Sequence, residues 1–166
     1  MIYGKFYERS INIMNKKALV ILGVVLLLIV AFIWGNSVLS PELSDKISRF
    51  AGDILSGIVG VGDEVSTVGG IPVRKVGHFC EFFALGAAAW MLLKLLGLKL
   101  YVRIISVSLF GVVVPLLDET IQIFSGRGHS IKDVWIDIMG FAVGAAGALL
   151  VNLIISKIVN KSKNKH

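Results

Sequence analysis

Residues 118–137 read D-E-T-I-Q-I-F-S-G-R-G-H-S-I-K-D-V-W-I-D, a polar segment set between two long apolar runs. It carries Asp118, Glu119, Gln122, Arg127, His129, Ser130, Lys132, Asp133 and Asp137. Two apolar runs long enough for helices, joined by so short a polar piece, predict a helical hairpin with its turn at a membrane edge. Desolvation disfavours ionisable groups there unless water or partners reach them, so such a cluster reads first as a site.

Working outward, the whole chain fits a bilayer better than water. Of its 166 residues, 55% are hydrophobic, and the mean hydropathy is +0.82. The apolar residues come in runs, which predicts an integral membrane protein rather than a soluble core. Four spans are expected, at about 18–40, 75–96, 104–123 and 131–155. Residues 1–17 form a cytoplasmic N-terminal segment, 18–155 a four-helix membrane domain, and 156–166 a basic cytoplasmic tail. Met14-Asn15-Lys16-Lys17 also reads as a start, which would make residues 1–13 an extension. The first span follows Lys16-Lys17 as a signal peptide would. Its apolar part is longer than such a segment needs and lacks a small-x-small cleavage site, so a retained anchor is the better reading.

Between the first two spans, Leu43, Ile47, Phe50, Ile54, Leu55 and Ile58 recur at helical spacing. Asp45, Lys46, Ser48, Arg49, Asp53 and Ser56 lie opposite them. This predicts an amphipathic interfacial helix over 43–60. Residues 61–73 hold Gly62, Gly69-Gly70 and Pro72, and read as a loop or short hairpin. Pro115 cannot donate to the Gly111 carbonyl, so a kink is expected before the acidic pair of the third span.

Four spans put both ends of the chain on one side. Of the 17 Lys and Arg residues, 11 fall on that side and 6 on the other. The positive-inside rule then places both termini in the cytoplasm and the polar cluster outside. The net charge of +6 is accounted for by these flanking residues, which meet lipid headgroups, and no nucleic acid is expected. Cys80 is the only cysteine, which excludes an intrachain disulfide and a cysteine-cluster metal site.

Helical periodicity brings the polar residues together. Asp118 and Gln122 share a face, and Glu119 points about 100° away. Asp133 and Asp137 head a stripe that continues as Gly140, Gly144 and Gly147, where small residues let a neighbouring helix approach. His78, Glu81 and Leu85 form a third stripe, with Ala84 and Ala88 beside it. The expected pocket is therefore Lys75, His78, Glu81, Asp118, Glu119, Gln122, Arg127, Asp133 and Asp137. Bland readings stand beside it. Ser130-x-x-Asp133 matches a helix capping box, Arg74 and Lys75 also mark a membrane boundary, and His129 reads as a solvated loop residue. Phe79, Phe82, Phe83 and Phe124 read as lipid-facing or core.

Two ordered motifs carry a more specific signal. They are Arg74-Lys75-x-x-His78-Phe79-x-Glu81-Phe82, and Asp118-Glu119-x-x-Gln122-x-Phe124-x-x-Arg127 followed by Asp133, Asp137 and Gly140. With Asn36-Ser37 after the first span, they resemble the VanZ-like membrane protein family over about residues 18–155. Phe82 departs from the pattern, since many members carry tyrosine there. The resemblance implies a small multi-span protein, and its namesake gives low-level resistance to teicoplanin, a lipoglycopeptide.

Two function classes follow. In the first, Lys75, Arg127 and His78 hold a phosphate or carboxylate. The acids and Gln122 accept from sugar or peptide groups, and the 43–60 helix forms a lid or lateral gate. The partners would be membrane lipids and an amphiphile such as a lipoglycopeptide or a lipid-linked cell-wall precursor. In the second, a membrane enzyme acts on a lipid-linked phosphate or sugar, with Glu119, Asp118, Asp137 and His78 as acid, base or nucleophile. The chain has no HExxH, P-loop or nucleophile elbow. No cofactor and no metal is expected, although an oxygen-rich cluster would take Mg²⁺ or Mn²⁺ rather than Zn²⁺. Four short spans leave little room for a transporter with two gates.

The topology is testable by cysteine labelling in a Cys80→Ser background. An impermeant thiol reagent applied to whole cells should modify Ser66→Cys and leave Lys99→Cys untouched until the membrane is opened.

Overall fold

The computed structural model describes the backbone of residues 2–39, 42–43, 46–47, 49–50, 54, 67–68, 71–126 and 130–163. Among these, helices α1 (Ile2–Val38), α2 (Val73–Leu95), α3 (Leu100–Phe124) and α4 (Ile131–Lys163) make up the fold. Each contains a segment long and apolar enough to cross a membrane: Lys16–Val38, Val73–Leu95, Leu100–Phe124 and Ile131–Ile158. The rest is a two-residue antiparallel ladder, β1 (Thr67–Val68) with β2 (Ile71–Pro72), pairing Thr67 with Pro72 and Val68 with Ile71. This is the short hairpin that the glycines and Pro72 predicted.

The helix ends follow from local chemistry. Pro72, at φ −53°, is the N-cap of α2, where the helix itself has no use for an N–H. At the other end, the Leu96 N–H donates to the Leu92 carbonyl and the Gly97 N–H to that of Lys94. Gly97 has φ +69°, the left-handed turn that closes helices. The α3–α4 turn uses the same device, with Gly126 at φ +73°. Helix α3 runs through Pro115 as one element, and it begins earlier than the hydropathy of the third span suggested. Helices α1 and α4 extend beyond their apolar runs, into residues 2–17 and 156–163. Hydropathy marks what can enter lipid and does not mark where helical backbone hydrogen bonding ends.

The expected 43–60 helix falls largely outside the described residues. Leu43, Lys46, Ile47, Arg49, Phe50 and Ile54 have helical backbone and are exposed.

Parallel helices α2 and α4 form the tightest pair. A Cβ on Gly144 would collide with the Phe83 carbonyl, one on Gly140 with the Phe79 carbonyl, and one on Gly86 with the Phe141 carbonyl. Both backbones thus come close through small residues on each helix. Gly111 of α3 receives the Phe141 ring in the same way. Gly147, expected in the stripe, meets nothing within 4 Å. Gly86 does the work that Ala84 was expected to share, and Ala84 is exposed.

The apolar core gathers Ile33 of α1, Phe82, Leu85, Ala89 and Trp90 of α2, Val107 and Val114 of α3, and Phe141 and Ala145 of α4. Phe82 is fully buried in it, while Phe83 and Phe124 are exposed on faces that lipid would cover. The other end of the bundle is tied by polar contacts. Lys94 donates to Asn152, and the Arg103 guanidinium lies 5.1 Å from the Trp90 ring centre.

Replacing Gly86 or Gly144 by alanine should cost about 1–3 kcal/mol, because the backbones must separate. Gly147→Ala should be tolerated. Thermal unfolding of the purified protein in detergent checks both.

Candidate functional site

All four helices contribute to the polar cluster, because α1 and α3 end where α2 and α4 begin. Asn36 and Ser37 come from the last turn of α1. Arg74, Lys75, His78 and Glu81 come from the first turns of α2, and Asp118, Glu119 and Gln122 from the last turns of α3. Asp133 and Asp137 come from the first turns of α4. Ser37, His78, Asp118, Glu119, Gln122 and Asp137 are buried, an unusual density of polar groups for a bundle of this size.

Asp118 lies at the centre and is fully buried. The Ser37 hydroxyl donates to its Oδ1 at 2.5 Å, and Gln122 Nε2 donates to its Oδ2 at 2.8 Å. The i,i+4 spacing of Asp118 and Gln122 makes the second bond possible within one helix. Arg74 Nη2 in turn donates to Gln122 Oε1 at 3.2 Å, so the amide is held from both sides. The Ser125 hydroxyl donates to the Ser37 carbonyl at 2.9 Å and fastens the end of α3 to the end of α1.

Glu119 takes a different part. Its Oε1 accepts from the Ser130 N–H at 2.7 Å, at the start of α4. The Ser130 hydroxyl accepts from the Lys132 N–H at 3.2 Å, so Ser130 caps the helix as its sequence pattern suggested. The return arm of a capping box would come from Asp133. Here Glu119 of the preceding helix supplies it, and Asp133 pairs with Lys75 Nζ at 2.8 Å instead.

His78 faces two carboxyl groups from other helices. Its Nδ1 is 3.6 Å from Asp137 Oδ1 and 4.0 Å from Asp118 Oδ2. Asp137 is 1% exposed, and its Oδ1 accepts no hydrogen bond among the described residues. One ligand atom from each of His78, Asp118 and Asp137 falls within 4.8 Å of the others.

Two cavities open beside this cluster, one on each side of α2. The smaller, about 200 Å³, is lined by Pro72, Arg74, Lys75, His78, Asp133, Ile136 and Asp137. The larger, about 720 Å³, lies between α1 and α2 and is walled mainly by apolar side chains such as Phe32, Leu39, Ile47 and Val76. Asn36 and Glu81 form its polar edge, with Asn36 Nδ2 donating to Glu81 Oε1 at 3.4 Å. Arg74 and His78 border both cavities.

A family model described as VanZ/LLP1 matches residues 18–153. The chain belongs to the VanZ/LLP1 family. Neither a curated protein nor a solved structure matches it.

Of the residues expected to meet, this VanZ/LLP1 chain brings together Lys75, His78, Glu81, Asp118, Glu119, Gln122, Asp133 and Asp137, and Glu81 also accepts from Asn36 of α1. Arg127 and His129 lie outside the described residues. Phe82, where the family pattern has tyrosine, is fully buried in the core. Asn36 and Ser37 enter the sequence reading only as part of the family pattern and not as part of the pocket, where the structure places them. Their signal was a pair of hydrogen-bonding side chains at the end of an otherwise uncharged span.

Ser37→Ala should destabilise the bundle by about 1.5–3 kcal/mol, the value of a buried hydrogen bond to a carboxylate. A double-mutant cycle on Lys75 and Asp133, whose side chains are 34% and 25% exposed, should give less than about 1 kcal/mol.

Proposed function

We propose that this VanZ/LLP1 protein binds an amphiphile at the outer face of the cell membrane. We further propose that it thereby contributes to resistance against teicoplanin and related lipoglycopeptides. The observation that carries this reading is the pair of adjoining cavities, since Arg74 and His78 border both the apolar and the polar one. An acyl or polyprenyl tail would lie in the α1–α2 cavity, where apolar walls replace bilayer contacts. A charged headgroup would reach Arg74, Lys75 and His78.

The ligand class that fits is a lipid-linked cell-wall precursor, a membrane lipid or the lipoglycopeptide itself. Capture of either the drug or its lipid-linked target would alter how the drug anchors in the membrane. Arg127, four residues before Ile131 in the sequence, is the further cation that this reading assigns to the headgroup. The outer location rests on the distribution of Lys and Arg, with the polar cluster opposite the basic side.

The alternative is a membrane enzyme acting on a lipid-linked phosphate or sugar. The buried grouping of His78, Asp118 and Asp137 is what favours it. Asp137→Asn separates the two readings in purified protein. It would abolish turnover of an isoprenoid-phosphate substrate while leaving binding of that lipid largely intact, whereas a binding protein shows no turnover in either form.

Expression in a susceptible Gram-positive strain tests the main reading. Wild type should raise the teicoplanin inhibitory concentration more than that of vancomycin, which lacks an acyl tail. Arg74→Ala and Arg127→Ala should reduce the difference at matched membrane abundance. No effect of wild type on teicoplanin would remove the resistance reading.

A further inference from the structure

We propose that His78, Asp118 and Asp137 form a binding site for a transition-metal dication of the Mn²⁺ or Zn²⁺ class. The site is supplied by three helices. Imidazole comes from α2, and one carboxylate each from α3 and α4.

The distances carry the argument. At 3.6 and 4.0 Å, His78 Nδ1 is too far from Asp137 Oδ1 and Asp118 Oδ2 for hydrogen bonds. These are the separations of atoms that share an ion. Two ligands each about 2.1 Å from one metal stand about 3.0–4.2 Å apart across octahedral angles. The three donor groups close to within 4.8 Å of one another, so modest side-chain movement completes the set.

A second observation comes from Asp137. Its carboxyl is buried to 99%, yet Oδ1 accepts no hydrogen bond among the described residues and points toward His78. Burying a carboxylate oxygen without a donor is costly, and a cation in front of it removes that cost. Asp118 is prepared in the complementary way. Ser37 holds its Oδ1 and Gln122 its Oδ2, fixing the carboxylate as the hydrogen-bonded neighbours of metal ligands do.

The donor set selects the metal. Two carboxylates alone would suit Mg²⁺ or Ca²⁺, whereas the imidazole nitrogen moves the preference toward Mn²⁺ and Zn²⁺. This differs from the metal-free site expected from sequence, which gathered these side chains without fixing the distances between their donor atoms. His78 and Asp137 also line the polar cavity, so the ion would be open on that side to water or to a phosphate oxygen. The site stands on its own three side chains and does not depend on the amphiphile reading.

The test uses full-length protein in detergent, stripped with a chelator and titrated with Mn²⁺ alone, followed by electron paramagnetic resonance. One saturable site per chain is expected, from which Zn²⁺ displaces Mn²⁺. Pulsed measurements on the bound ion should show coupling to an imidazole nitrogen. Ser37→Ala should weaken binding by about 10–100-fold, as loss of a supporting hydrogen bond does. Asp137→Asn should weaken it further while the metal-free protein keeps its size-exclusion profile. The proposal is overturned if folded wild type shows no saturable binding of either metal, or if bound Mn²⁺ lacks the nitrogen coupling. Binding unchanged in a folded Asp137→Asn protein overturns it too. If that variant does not fold, the nitrogen coupling in wild type decides alone.

Discussion

Helices α2 and α4 touch backbone to backbone, with Gly140 and Gly144 beneath the Phe79 and Phe83 carbonyls and Gly86 beneath that of Phe141. In a bilayer no hydrophobic gain drives two apolar helices together, because lipid tails are as apolar as leucine. Close van der Waals contact and weak Cα–H···O interactions do the work instead, and only glycine permits them at this range. Phe79 follows His78, and Gly140 lies one turn beyond Asp137. The same contact that joins the two helices therefore sets the spacing between imidazole and carboxylate.

The polar end of the bundle is built on that distance. Once α2 and α4 are fixed, α3 brings Asp118 between them, and α1 supplies Ser37 to satisfy it. Glu119 and Ser125 make further cross-connections, one to the start of α4 and one to the end of α1. Most of these groups sit at helix ends, where unpaired backbone N–H and carbonyl groups need partners anyway. Helix termini and buried side chains thus solve one another's hydrogen-bonding needs. The Lys75–Asp133 pair is more exposed and serves the rim of the polar cavity rather than the stability of the bundle.

The two cavities give this polar end a direction. One is apolar and lies between α1 and α2; the other lies between α2 and α4 and is edged by the ionisable side chains of Arg74, Lys75, His78, Asp133 and Asp137. A bilayer offers molecules with the same division into tail and head. His78 and Asp137 line the polar cavity, and the buried Asp118 stands beside them.

Much of this was legible in the chain. Long uncharged runs give the four spans because hydropathy is a local property, and i,i+4 spacing puts Asp118 beside Gln122 because helical geometry is local as well. The ordered polar motifs were enough to point to the family and most of the cluster, and the Gly140-x-x-x-Gly144 stripe to close packing of another helix. Other features needed the packed structure. Gly86, alone in its run, carries no pattern, and Gly147, well placed in one, meets nothing. The partnership of Ser37 with Asp118 links residues 81 apart, and the pairing of Ser130 with Glu119 in place of Asp133 depends on how two helices cross. Sequence fixes what each helix presents on its faces. Which face meets which, and how closely, is settled only when the backbones dock.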